Sequence, residues 1–80
     1  MMIFNMRMMR ELDRILEGNH DIEIIVVSDH STSIYFIPEK NIYLSRHFET
    51  ITKEEYEKRK KEIKRSKNYV EKTFTLKEVW

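Results

Sequence analysis

The sequence predicts an α+β domain: an N-terminal helix, a three-stranded antiparallel β-meander, a charged second helix, and a short C-terminal strand or helical turn. Three observations carry that prediction. Apolar residues recur at helical spacing between Met6 and Glu17. β-Branched and aromatic residues gather in short runs between Ile22 and Phe48. A Thr-x-x-Glu capping signal at Thr52 then opens a charged stretch.

In the first helix Met8, Met9, Leu12, Ile15 and Leu16 form the apolar stripe, and Arg7, Arg10, Glu11, Asp13 and Arg14 fill the other face. Asn5 is placed to cap its start. Gly18, the only glycine in the chain, sits where a left-handed residue closes a helix.

The run Ile22 to Ser28 has strand length, and both of its alternating sets are largely apolar: Ile22, Ile24, Val26 and Glu23, Ile25, Val27. Either helices cover both faces of this strand, or one face meets another molecule. Asp29 to Thr32 is a turn, and Ile34 to Ile37 returns as a second strand that Pro38 stops. After a turn at Pro38 to Asn41, a third strand from Ile42 to Phe48 alternates Ile42, Leu44, Arg46, Phe48 against Tyr43, Ser45, His47. This pattern puts Tyr35, Ile37, Tyr43, Ile25 and Val27 on one sheet face, with Ile24, Ile34, Phe36 and Leu44 on the other.

The second helix runs from Thr52 to about Lys67 or Tyr69 on a thin stripe of Tyr56, Ile63 and Val70. Glu54 to Lys58, Glu55 to Arg59 and Glu57 to Lys61 are spaced for ion pairs in the favourable order. Beyond it, Lys72 to Leu76 alternates like a strand. Thr75 and Glu78 have the spacing to cap a final helical turn carrying Val79 and Trp80, so both endings stand.

At 80 residues, without repeats or a linker, residues 1–80 read as one small domain whose core alone gives little net stability. Homo-oligomerisation or a partner would add to it. The absence of cysteine excludes disulfides, thiolate metal sites and a thiol nucleophile. Arg7 and Arg10 interrupt the methionine-rich start before it reaches a signal-peptide core, and no apolar run is long enough for a membrane span. A soluble cytoplasmic protein with no membrane role is expected.

The net charge of +1 hides an asymmetry, since residues 1–50 hold 5 Lys/Arg against 8 Asp/Glu, and residues 51–80 hold 10 against 6. Most of the excess lies between Lys58 and Lys67. On a helical wheel Lys58, Lys61 and Arg65 oppose the Tyr56/Ile63 stripe, while Lys60, Lys64 and Lys67 occupy a flank. Lys58, Arg59, Lys61, Lys64, Arg65 and Lys67 are therefore the candidate partner-binding residues, with Tyr35 and Tyr43 added from the sheet. Such a face suits a protein with an acidic or nucleic-acid-binding surface, or the phosphates of a nucleic acid. Interleaved Glu54, Glu55, Glu57 and Glu62 make a merely solvated, ion-paired helix the plain alternative. No helix-turn-helix spacing, RNA-recognition motif or zinc finger accompanies the run.

No catalytic residue, metal ligand or cofactor site is assigned. His20 beside Asp21 and His30 beside Asp29 fall at opposite ends of the first strand, which argues against one metal site. Tyr43, Arg46 and His47 invite comparison with RNA-cleaving toxins, yet strand alternation sets Arg46 on the face opposite the other two. No glycine-rich elbow surrounds any serine.

Short length, lack of cysteine or cofactor motif, and the helix-meander-helix plan resemble many small phage-encoded inhibitors, including some anti-CRISPR proteins. The resemblance is one of size and architecture and carries over no residue. It implies a non-enzymatic protein that occludes the functional surface of a host enzyme or defence system. A basic-helix module that binds nucleic acid or regulates transcription is the second expectation, and an RNA-cleaving toxin the third.

Overall fold

The doubly apolar run becomes β1 (Ile24–Ser28), and both of its faces are covered by helices. The computed structural model describes residues 6–79, Val79 for its backbone only. After α1 (Met6–Ile15) and β1 come β2 (Ser33–Ile37), a 3-10 turn (Pro38–Lys40), β3 (Ile42–Leu44) and β4 (Thr50–Ile51). The chain continues through α2 (Lys53–Lys64), β5 (Val70–Phe74) and α3 (Leu76–Val79). The five strands form one antiparallel sheet in the order β4-β3-β2-β1-β5. Both proposed endings are present, since residues 70–74 add an edge strand and residues 76–79 a helical turn. Asn5 and Trp80 lie outside the described residues.

Register decides which side chains share a face. Val26 pairs with Tyr35 and Tyr35 with Leu44, so these residues join Ile24, Ile37 and Phe74 against Met9 and Leu12 of α1, Leu16 just past its end, and Leu76 of α3. Val27 pairs with Ile34, and these meet Tyr56 and Ile63 of α2, with Ile25, Phe36 and Tyr43 packed around them. The expected face assignment is therefore corrected: Tyr35 and Ile37 belong with Ile24, whereas Ile34 and Phe36 belong with Ile25 and Tyr43. When both faces are apolar, alternation within each strand does not say which face meets which helix.

The end of α1 also differs from expectation. The Gly18 N–H donates to the Asp13 carbonyl (3.1 Å) and the Glu17 N–H to that of Arg14 (3.2 Å), the two bonds of a Schellman motif. Its left-handed C′ position is held by Glu17 (φ +55°), with Gly18 (φ +79°) following.

The third strand stops at Leu44, four residues short of Phe48, because Ser45 closes a turn. The Ser45 N–H donates to the Glu49 carbonyl and the Phe48 N–H to the Ser45 carbonyl, both at 2.9 Å. Ser45 Oγ accepts from the N–H groups of His47 (3.2 Å) and Glu49 (3.3 Å). Phe48 takes a left-handed conformation (φ +62°) and stacks in the core on Tyr35, ring centroids 4.8 Å apart. The chain thereby reverses into β4. α2 likewise ends at Lys64, where Ser66 N–H reaches the Ile63 carbonyl (3.0 Å), and Val70 leaves the helical stripe to begin β5.

Candidate binding surface

α2 is held from one side only. Thr52 Oγ1 accepts the Glu55 N–H (3.1 Å), satisfying a donor of the first turn, and Tyr56 and Ile63 are buried against the sheet. The Tyr56 ring lies 5.0 Å from Tyr43 and 5.9 Å from Phe36. Burial, aided by the charges of Glu71 and Glu57, pushes its phenol up to about 12. The opposite side of the helix, with Lys53, Glu54, Glu57, Lys58, Lys61, Glu62 and Arg65, faces outward.

Of the three expected ion pairs only Glu55 to Arg59 forms, at 2.9 Å. Lys60 leans inward over the Tyr56 ring (6.0 Å) and reaches Glu71 (4.0 Å), while Lys64 lies over the Tyr69 ring (6.0 Å). Among the described residues Lys58, Lys61, Arg65 and Lys67 make no ion pair or ring contact. The outward cations are thus open to a partner, and Arg59 is already engaged.

The two sheet tyrosines behave differently from the helix cations. Tyr35 is only 1 % exposed, inside the α1-side core, with its hydroxyl 3.0 Å from Ser33 Oγ. It is removed from the candidate contact residues because no partner can reach its ring. Tyr43 is partly buried on the other face, stacked on Phe36 with centroids 4.6 Å apart. The two rings face opposite layers and never share a surface.

The antiparallel register brings both hairpin turns, Asp29–Thr32 and Ser45–Glu49, to one end of the sheet. Met8 of α1 borders Ser28 to Ser33, and Arg59 and Ile63 of α2 border Asp29 and Thr32. Asn68, just past α2, lies 3.0 Å from His30 Nδ1. This end therefore gathers Arg7, Arg46, Lys64, Arg65 and Lys67 from three parts of the chain, with Glu11, Asp29, Glu49 and Glu62 among them. At the far end Glu17 meets Lys40 (3.6 Å) and Asp21 meets Lys77 (3.7 Å), with Asp13, Glu23 and Glu39 nearby in the chain. The cations of the turn end come from both halves of the chain, so the local field differs from the one the sequence asymmetry implies.

The three histidines are kept apart. His20 Nε2 lies 2.6 Å from Asp13 Oδ1 at the acidic end, whereas His30 and His47 sit on the two turns of the basic end. Asp29 is occupied with its own turn, accepting the N–H groups of Ser31 (2.8 Å) and Thr32 (2.9 Å), and these bonds hold its carboxyl below the usual value. Among the described residues no three His, Asp or Glu side chains converge as metal ligands.

The turn at Ser45 overturns the separation of Arg46 from His47. Arg46 Nε donates to His47 Nε2 at 3.1 Å, so the two act as neighbours, with Tyr43 remaining on the α2 side. Arg7, Met8 and Glu11 of α1 face them across a groove of about 370 Å³. Sequence reading missed this cluster because Phe48 continues the alternation of β3. The polar run Ser45-Arg46-His47, where the apolar pattern lapses, was the available signal.

No described helix is long and apolar enough to cross a membrane. No protein-family model, curated protein or solved structure matches the chain.

Proposed function

We propose that the protein is a non-enzymatic docking module that uses the outer face of α2 and the adjoining basic end to cover an acidic surface of another protein. One observation carries this reading: Lys58, Lys61 and Arg65 are unpaired cations on a helix whose anchors, Tyr56 and Ile63, point the other way. A partner can engage that face without disturbing the fold. Glu54, Glu57 and Glu62 between the cations suit a protein surface of mixed charge better than a phosphate backbone, which they would repel. Steric occlusion of a host enzyme, as the size and architecture of small inhibitors imply, is the mechanism that fits.

The test is the triple variant Lys58→Glu, Lys61→Glu, Arg65→Glu, compared with Lys77→Glu at the acidic end, in affinity capture from host extract with quantitative mass spectrometry. Three contacts at about 1 kcal/mol each predict that a captured partner is weakened by roughly two orders of magnitude. The control should retain it. An identical capture profile for wild type and triple variant removes this surface from the reading.

A nucleic-acid-binding module is the second reading, favoured by the convergence of Arg7, Arg46, Lys64 and Lys67 at one end. It requires affinity that falls steeply with salt. Filter binding at low ionic strength that detects no retained duplex or single strand ends it.

A further inference from the structure

We propose that the groove between α1 and the β3–β4 turn binds a phosphate group, held by the guanidinium groups of Arg7 and Arg46 with the His47 imidazole as a third donor. The groove has walls from two elements, a floor and a fixed rim. Met8 and Phe48 contribute apolar surface, while Arg7, Glu11, Arg46 and His47 supply the polar groups around a volume of about 370 Å³. That is the size of pocket that takes a small ligand or one group of a larger one.

The rim is fixed because the backbone of the turn is fixed. Four hydrogen bonds converge on Ser45, and Phe48, 9 % exposed, pins the turn to the core by stacking on Tyr35. Two exposed side chains, Arg46 and His47, thus project from a turn tied down on both sides.

The hydrogen-bonding inventory favours an oxyanion. Arg46 Nε donates to His47 Nε2 at 3.1 Å, so Nε2 is an acceptor and the neutral ring keeps its proton on Nδ1, free to donate. The terminal nitrogens of Arg46 and the whole guanidinium of Arg7 make no ion pair or hydrogen bond among the described residues. Every unspent polar group of these three side chains is a donor. Glu11, the carboxylate that lines the groove, gives one oxygen to Arg14 at 2.9 Å in an exposed pair, so it is the one lining group that opposes an anion and the three donors must outweigh it. A guanidinium fork can hold either a carboxylate or a phosphate, but donors coming from two separate elements can engage different oxygens of a tetrahedral phosphate at once, whereas a carboxylate has only two oxygens in one plane to share among them. The phosphate can arrive free or as part of a nucleic-acid backbone; the chemistry of the site is the same for both.

The site shares Arg7 and Arg46 with the basic end that the docking reading also uses but none of the outward α2 cations, so the α2 charge reversals test that reading and the variants below test this one. The test is side-chain NMR of the folded chain, following the His47 ring and the Nε–H groups of Arg7 and Arg46. Sodium phosphate and a five-nucleotide single-stranded RNA are titrated separately against sodium chloride of matched ionic strength. Saturable shifts at all three side chains are expected, absent with chloride. Saturation by inorganic phosphate identifies free phosphate as sufficient, and saturation by the RNA alone assigns the site to a backbone phosphodiester. Arg7→Gln and Arg46→Gln should each weaken binding about tenfold or more, as loss of a charged donor does, whereas Lys77→Gln at the far end should not. Because Arg46 also steadies His47, Arg7→Gln on the other element is the decisive variant. Shifts that track ionic strength alone, or that survive Arg7→Gln unchanged, overturn the proposal.

Discussion

Glu17 sits at a backbone position that glycine usually fills. Its φ of +55° sets Cβ against the backbone, and the exposed 3.6 Å pair with Lys40 returns little. Glu17→Gly should therefore raise stability by about 1 kcal/mol, read as a higher urea midpoint at unchanged slope; a lower midpoint would mean the Lys40 contact outweighs the strain. Tyr56 makes a second prediction at this scale. Its phenol is held near 12 in the folded chain against an ordinary 10, so between those values the folded state keeps a proton that the unfolded chain releases. The stabilisation from this group is complete below pH 10 and is lost as pH climbs toward 12, with a slope approaching about 1.4 kcal/mol per pH unit. Buried Tyr35 and the Glu71-bonded hydroxyl of Tyr69 are shifted in the same direction and add to the fall. Tyr56→Phe should leave the midpoint at neutral pH nearly unchanged and flatten the alkaline decline. A decline of wild-type steepness in that variant would exclude Tyr56 as its source.

α2 has few apolar contacts for its length, so its termini matter more than usual. Thr52 caps it, Glu54 and Glu55 stand in the first turn and Lys61 and Lys64 in the last, all complementing the helix dipole. Thr52→Ala should cost about 1 kcal/mol and speed amide exchange first at Glu55, whose N–H loses its acceptor. Uniform exchange along the helix would instead show that Tyr56 and Ile63 alone set its stability. The same elements show what a one-dimensional pattern can reveal. α1, α2 and the centres of β1 and β2 were legible because periodicity and capping agree there. β3 was read too long because Phe48 returns to the core through a left-handed turn, keeping the alternation without the strand. β4 has only two residues and gives no period. β5 is an edge strand with Phe74 its one buried residue, so it lacks a burial pattern of its own.

Across the whole molecule, the proposed binding surface was legible only where it is contiguous in the chain. The α2 cations lie within one run, whereas the basic end joins residues near 7, 46 and 65 that only the antiparallel register brings together. The same register makes β1 the shared wall of two cores. Val26 belongs to the α1-side cluster and Val27 to the α2-side cluster, each about 1 % exposed or less. Neither layer can leave without uncovering a face of that strand, so the layers should unfold together. Leu12→Ala, in the α1 layer, and Ile63→Ala, in the α2 layer, should each cost about 3 kcal/mol, a large part of what a chain this small can hold. Both variants should show one transition shifted to lower urea with an unchanged slope, and amides of α1 and α2 should lose protection to the same extent in each. A two-step transition in Ile63→Ala, with α2 exchanging while α1 stays protected, would make α2 a separable layer. The docking face would then ride on an element that can detach, and the charge reversals on it would have to be read against the fraction of α2 still bound to the sheet.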